Sequence, residues 1–177
     1  MNAVHEAVSP DVFRQALRRW PSGVTVITMP TLEGPHGMTA SAFCSVSVAP
    51  PQILVVVDRR WRSHDLIVEG GVFCVNILAE DQAAWSERFA GRGSQEDRFA
   101  GIAVTTAVTG AACLTDARAW LDCRVAAVHA AGDHSIFVGE VLAVGLGAGS
   151  DGRAEGPLVY ENGAYRRVGD RVDPAGT

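Results

Sequence analysis

Residues 34 to 58 read GPHGMTASAFCSVSVAPPQILVVVD, and the character of this stretch sets the expected architecture. A turn signal at Gly34, Pro35 and Gly37 opens onto small and hydroxylated residues, Thr39, Ala40, Ser41, Ala42, Cys44, Ser45 and Ser47. Pro50 and Pro51 end that run. Strands that only fill a core favour larger side chains, whereas small ones let a flat ligand approach the backbone and find hydroxyl and N–H partners. The run is therefore expected to bed a planar ligand. Ile53 to Val57, apolar throughout, predicts a strand that needs cover on both faces, by a helix or by a second subunit.

Upstream, the β-branched Val24 to Met29 predicts a strand joined to this stretch as a hairpin through the turn-rich residues 30 to 37. Before it, Ser9-Pro10-Asp11 opens a helix with an N-cap, a proline at the first helical position and an acid at the positive dipole end. Phe13, Leu17 and Trp20 share one face of that helix at i, i+4 and i+7, a spacing expected for core packing. Pro21 and Gly23 stop it.

Downstream, Ser63 is expected to cap a short helix from His64 to Glu69 that ends at Gly70-Gly71. Val72 to Leu78 reads as a strand and Glu80 to Ala90 as a helix, with Glu80 and Asp81 in its first turn and Trp85 and Phe89 on one face. Gly91 to Phe99 reads as an exposed loop. Ile102 to Thr109, Trp120 to Ala130 and Ser135 to Val144 are expected strands, and Asn162-Gly163 marks a final hairpin between Leu158 to Tyr160 and Ala164 to Arg166. Seven or eight strands with two or three short helices predict a mainly β domain, a closed barrel with packed helices, over residues 9–168 with loose tails at 1–8 and 169–177. Gly147, Gly149 and Gly152 match a dinucleotide fingerprint by spacing, but Gly156-Pro157 leaves no helix to hold a pyrophosphate, so a loop is expected there.

Composition narrows the function. The formal charge of -5 argues against a surface that tracks nucleic acid. All 15 basic residues are Arg, which removes P-loop lysine chemistry and lysine Schiff bases to pyridoxal phosphate, since both need an amine. No apolar run approaches the ~20 residues that span a bilayer, and the N-terminus lacks a basic-then-apolar signal, so no membrane association and a cytoplasmic location are expected. Cys44, Cys74, Cys113 and Cys123 form no C-x-x-C pair and are expected as free thiols, with no metal site.

Two further segments could carry chemistry. Arg59, Arg60 and Arg62 beside Ser63 at a helix start combine cationic donors, a hydroxyl and free N–H groups, a set that suits a phosphate, although a capped helix with solvated arginines has the same letters. Gly132-Asp133-His134 is a hairpin turn whose histidine could position a ligand or pass a proton.

Taken together, these features resemble the short-chain flavin reductases, the reductase components of two-component flavin-dependent monooxygenases, which share a flavin-binding split β-barrel of Greek-key type. The resemblance spans about Phe13 to Tyr165 and is carried by residues 21–28 (PSGVTVIT), 36–47 (HGMTASAFCSVS), Pro50-Pro51, Arg62-Ser63, 73–78 (FCVNIL), 87–90 (ERFA), 98–101 (RFAG) and 132–134 (GDH) leading to Gly139-Glu140-Val141. It implies that Met38, Thr39, Ala40, Ser41, Ser45, Val46 (by its backbone) and Ser47 contact the isoalloxazine and ribityl parts of FMN or FAD. It further implies Ser63 with Arg59, Arg60 or Arg62 at the phosphate, Phe89 and Tyr160 near the flavin, and Arg98 where the family commonly has lysine. Asp133 and His134 would lie by the nicotinamide of NADH or NADPH, His134 as the one catalytic side chain. Hydride transfer between two stacked rings needs no protein nucleophile, which agrees with the lack of a hydrolytic constellation. The expected activity is reduction of flavin by NAD(P)H with delivery to a separate monooxygenase, in a homodimer. Two other readings stand beside it, a split-barrel flavoprotein that retains its flavin as an electron carrier and an oxidase of the pyridoxamine-phosphate type.

Overall fold

The computed structural model describes residues 7–91, 93–147 and 156–169. Most of the expected tails, and the glycine run from residue 148, lie outside them. In chain order the elements are α1 (Pro10–Leu17), β1 (Ser22–Gly23), β2 (Thr25–Thr31), β3 (Gly34–Ala40), β4 (Phe43–Val48), β5 (Pro51–Asp58), α2 (Arg62–Gly70) and β6 (Val72–Ile77). There follow α3 (Ala83–Ala90), α4 (Gln95–Phe99), β7 (Val104–Thr106), β8 (Ala112–Leu114), β9 (Ala119–Ala131), β10 (His134–Leu146), β11 (Val159–Glu161) and β12 (Ala164–Arg166).

Seven strands pair antiparallel in the order β3-β2-β6-β9-β10-β5-β4. The two edge strands, β3 and β4, are consecutive in the chain and joined only by Ser41-Ala42. The sheet thus curls until its edges meet at this link without pairing, which replaces the closed barrel expected from the strand count with a split one. The small-residue run is likewise two edge strands, not one. Backbone bonds from Phe43 N to Ser41 O (3.0 Å) and from Val56 N to Ala42 O (3.1 Å) hold the corner.

Inside the curl lie Ile27, Met29, Ile53, Val55, Val57, Phe73, Val75 and Phe137, with Ile67 of α2 packed among them. Gly139 permits this packing, because a Cβ there would stand 2.6 Å from the Phe73 ring. Outside β2, Val24, Val26, Leu78, Phe89, Leu114 and Leu158 form a second core. Asn76 ties that side together: its amide nitrogen donates to Val26 O (3.1 Å) and its carbonyl accepts from Leu114 N (2.7 Å).

Several local expectations change. α1 forms with Ser9 as its cap, but its stripe is not core: Phe13 is 56%, Leu17 53% and Trp20 72% exposed. Ser63 lies inside the first turn of α2, whose N-cap is Trp61. α3 starts at Ala83, because Gln82 is bound at both ends, accepting from Ala79 N (2.8 Å) and donating to Asp116 O (2.6 Å), which leaves Glu80 and Asp81 ahead of the helix. The expected 91–99 loop contains α4, capped by Ser94, whose hydroxyl accepts from Asp97 N (3.1 Å). Asn162 and Gly163 adopt the positive φ values, 48° and 78°, of a tight primed turn. Among the described residues, no helix is long and apolar enough to cross a membrane.

Candidate functional site

The edge strand β3 borders a row of three adjoining hollows that residues of both its faces line. The first, about 360 Å³, lies among β3, the start of α2, α3 and α4, and is lined by His36, Met38, Thr39, Trp61, Arg62, Ser63, Phe89, Gln95 and Arg98. The second, about 300 Å³, shares Thr39 and Ala90 with it and continues past Ala40, Ser41, Ser86, Tyr160 and Tyr165. The third, about 560 Å³, shares Ser41 and Tyr160 and opens between α1, β4 and β5, where Leu17, Trp20, Phe43, Leu54 and Val56 make it apolar. Four residue steps along β3 from His36 to Ala40 cover about 13 Å of that course.

The first hollow is polar and electropositive. His36 Nε2 lies 2.9 Å from Ser63 Oγ, and both residues are buried. Burial, then the charges of Arg98 and Arg62, pull the His36 imidazole down to about 4, so it is neutral at ordinary pH. Arg98 donates to Gly37 O (2.9 Å), to Phe89 O (3.4 Å) and to Gly91 O, while its Nε is buried without a hydrogen-bond partner. Burial also lowers the Arg98 pKa from its usual value. The guanidiniums of Arg62 and Arg98, the Ser63 hydroxyl and the first turn of α2 thus border one hollow, and together they are the donor types an anion requires. A phosphate-bearing group fits this end.

Close packing shapes the hollow's wall. A Cβ on Gly37 would fall 2.6 Å from the Phe89 ring, which itself meets Phe99 edge-to-face at 4.9 Å between centroids. Gly37 N donates to Gln95 Oε1 (2.8 Å), and Thr39 Oγ1 donates to Ser86 O (2.6 Å), so α4 and α3 are both stitched to β3. Ser86 Oγ in turn accepts from the Tyr165 hydroxyl at 2.9 Å.

Of the residues singled out from sequence, Met38, Thr39, Arg62, Ser63, Phe89 and Arg98 line the first hollow, and Thr39, Ala40, Ser41 and Tyr160 the second. Ser45, Val46 and Ser47 sit on edge strand β4 and line none of these hollows. Arg59, Asp133 and His134 gather instead at the β9–β10 turn: Arg59 donates to Gly132 O, and Asp133 Oδ1 lies 2.6 Å from His134 Nδ1. His134 pairs across the ladder with Asp58, and Asp58, Asp133 and His134 bring ligand atoms within 4.8 Å of one another. Arg60 grips both oxygens of Asp58 (2.6 Å from Nη2 to Oδ2) and holds its carboxyl down to about 2, so an ion pair already occupies that carboxylate. His64 links this rim to the groove: it stands on α2 with Nε2 3.0 Å from Ser135 Oγ, the residue after His134.

Sequence reasoning left His36, Trp61, Gln95 and Ser86 out of the site. His36 is adjacent to Gly37 in the opening motif, and Ser94 with Asp97 has the spacing of a capping pair that announces α4. Nothing local signals that His36 meets Ser63, 27 residues away.

Residues 17–169 match the family described as "Flavin reductase like domain". The chain belongs to that family. It is 36% identical over 171 residues to the flavin-dependent monooxygenase reductase subunit HsaB of Rhodococcus jostii (strain RHA1), covering 96% of this chain and 84% of that protein. With FMN reductase (NADH) RutF of Pseudomonas syringae pv. syringae (strain B728a) it shares 37% identity over 162 residues, 92% of this chain and 88% of the relative. The solved structure of the NADH:FAD oxidoreductase SgcE6 of Streptomyces globisporus C-1027 superposes with a TM-score of 0.81 at 28% identity, covering 100% of this chain and 99% of that one. The mainly β, split-barrel fold and the kinship with reductase components of flavin-dependent monooxygenases thus rest on both chain and structure.

Proposed function

We propose that this chain reduces FMN or FAD with NADH or NADPH and delivers the reduced flavin to a separate monooxygenase. The observation that carries the reading is the row of hollows along β3 that share Thr39, Ala90, Ser41 and Tyr160, with the hydroxyl and guanidinium donors of Ser63, Arg62 and Arg98 at one end and Tyr160 and Tyr165 further along. That arrangement suits a molecule with a phosphate at one end and a planar ring system toward the other. The relatives' names point the same way, one an FMN reductase using NADH, one an NADH:FAD oxidoreductase and one a monooxygenase reductase subunit.

In this reading Ser63, Arg62 and Arg98 hold the phosphate and Met38 to Ser41 run beside the ribityl chain and ring. Phe89 and Tyr160 close the groove's sides. A bound flavin supplies the hydride acceptor. The protein then has to hold two rings face to face, exclude water, and meet the negative charge that builds on the reduced ring with N–H and hydroxyl donors, a role for the backbone of Thr39 to Ser41. His134, held by Asp133 at the β9–β10 turn, lines none of the three hollows, so its part in positioning the nicotinamide or moving a proton needs the reductant to reach from the flavin ring to that turn. A homodimer belongs to the same proposal: the exposed α1 stripe and the half-covered outer face of β5 form one apolar surface. A second copy on it would also bring cover to Ser45, Val46 and Ser47 on the β4 edge. A cytoplasmic setting completes the proposal.

The test is nicotinamide oxidation by purified protein with NADH or NADPH, with and without added FMN, FAD or riboflavin. Turnover that depends on added flavin is the expected result. No oxidation with any pair would sink the reading, and full turnover without added flavin would favour a flavoprotein that retains its flavin.

A further inference from the structure

His36 has no role assigned by the motif that contains it, yet it is the buried group on which the phosphate end turns. It sits on β3 between Pro35 and Gly37, paired across the ladder with Met29, and reaches Ser63 Oγ on α2 at 2.9 Å. A serine hydroxyl has one proton, which it can give to His36 Nε2 or to a ligand in the hollow, but not to both. Its direction is set by which imidazole nitrogen carries the N–H. The ring is neutral at ordinary pH under burial and the charges of Arg98 and Arg62, so both tautomers are available to it.

We propose that His36 is a positioning residue for the flavin phosphate: by donating from Nε2 to Ser63 Oγ it turns the Ser63 proton into the hollow, so that the site selects 5′-phosphorylated flavins over riboflavin. This rests on the flavin reading above. A phosphate accepts hydrogen bonds only and is served by that arrangement alone. Riboflavin ends in a hydroxyl, which donates or accepts and is served by either. The selectivity is a difference between two ligands at one atom, and it lies in the His36–Ser63 pair. Arg62 and Arg98 line the same hollow, and their positive charge adds to the demand for an acceptor ligand.

Binding separates this from a structural role. Titrations of FMN and of riboflavin, followed by flavin fluorescence with inorganic phosphate as competitor, would be run on wild type, His36→Ala, His36→Gln and Ser63→Ala. His36→Ala is expected to weaken FMN about tenfold, as for one charge-assisted hydrogen bond, with riboflavin changed less than about twofold. His36→Gln, whose amide N–H can replace the Nε2 donor, should recover most of the FMN affinity. In the Ser63→Ala background His36→Gln should leave the FMN-to-riboflavin ratio unchanged. Equal losses for both flavins, an unaltered FMN affinity in His36→Ala, or failure of His36→Gln to rescue at wild-type Tm would each overturn the role. If wild type binds neither flavin, the flavin reading itself falls and takes this one with it.

Discussion

β2 and β5 are both short strands rich in β-branched residues with apolar side chains on both faces, and they have different fates. Both faces of β2 are buried within the chain, Ile27 and Met29 inside the curl, Val24 just ahead of the strand and Val26 against Leu78, Phe89 and Leu158 outside it. β5 buries Ile53, Val55 and Val57 inward, but Leu54 and Val56 remain half-covered in a hollow whose other walls include the exposed Leu17 and Trp20. A strand with apolar side chains on both faces therefore states that two faces want cover without stating what covers them. The hollows along β3 differ too: the one among α2, α3 and α4 is stitched by hydrogen bonds and polar, and the one beside β5 is open and apolar.

Four measurements would break or sharpen that contrast. Phe89→Ala, in the finished outer core of β2, should cost about 3–5 kcal/mol in denaturant unfolding, as a large buried aromatic truncated to a cavity. The matching Leu54→Ala on β5 should cost about 1 kcal/mol or less if that face is open, and a cost equal to that of Phe89→Ala would show that the face is covered in solution. Gly37→Ala forces a methyl group against the Phe89 ring and should destabilise by about 1–3 kcal/mol while distorting the first hollow. Gly23→Ala, with nothing within 4 Å of the new Cβ, should be near neutral in the same assay.

The third concerns pH. His36 is held at about 4 in the folded chain against an ordinary value of 6.5, so between those values the unfolded chain binds more protons and stability rises with pH. Stability should accordingly fall as the pH drops from 6.5 toward 4, by up to about 1.4 kcal/mol per pH unit, and His36→Gln should flatten that slope. An identical slope in the variant would place the titration elsewhere. The smallest effect is expected at α1, where Phe13→Ser with Leu17→Ser should change monomer stability by less than about 0.5 kcal/mol, as for exposed positions. Size-exclusion chromatography with light scattering should show the same pair shifting a dimer toward monomer, and unchanged mass would remove α1 from the interface.

Much of this fold was legible where local chemistry acts alone. The Asn162-Gly163 hairpin, the α1 cap at Ser9, the αL stop at Gly71 and the long β9–β10 pair all appear where turn and capping residues put them. What escaped was set by contacts between distant residues. Gln82 delays α3 because its amide is bound to Ala79 and Asp116, a partnership no periodicity encodes. The small-residue run splits at Ser41-Ala42 because the sheet must turn a corner there. α1 reads as core because an apolar stripe looks alike whether it meets its own chain or another surface. In the site, Thr39 to Ser41 and Ser63 were singled out by residue type and Met38 by the resemblance, and all of them line the hollows, whereas the His36–Ser63 contact and the orphaned Arg98 Nε exist only once β3, α2 and α4 are assembled.

The central claim is that the groove along β3 seats a flavin with its phosphate at the polar end. A crystal structure of the protein with FMN tests it most directly. The phosphate is expected within hydrogen-bond distance of Ser63 Oγ and beside the Arg62 and Arg98 guanidiniums, with the ring lying toward Ser41 and Tyr160. A phosphate at the Asp133–His134 rim or at the apolar end beside Trp20 would contradict it.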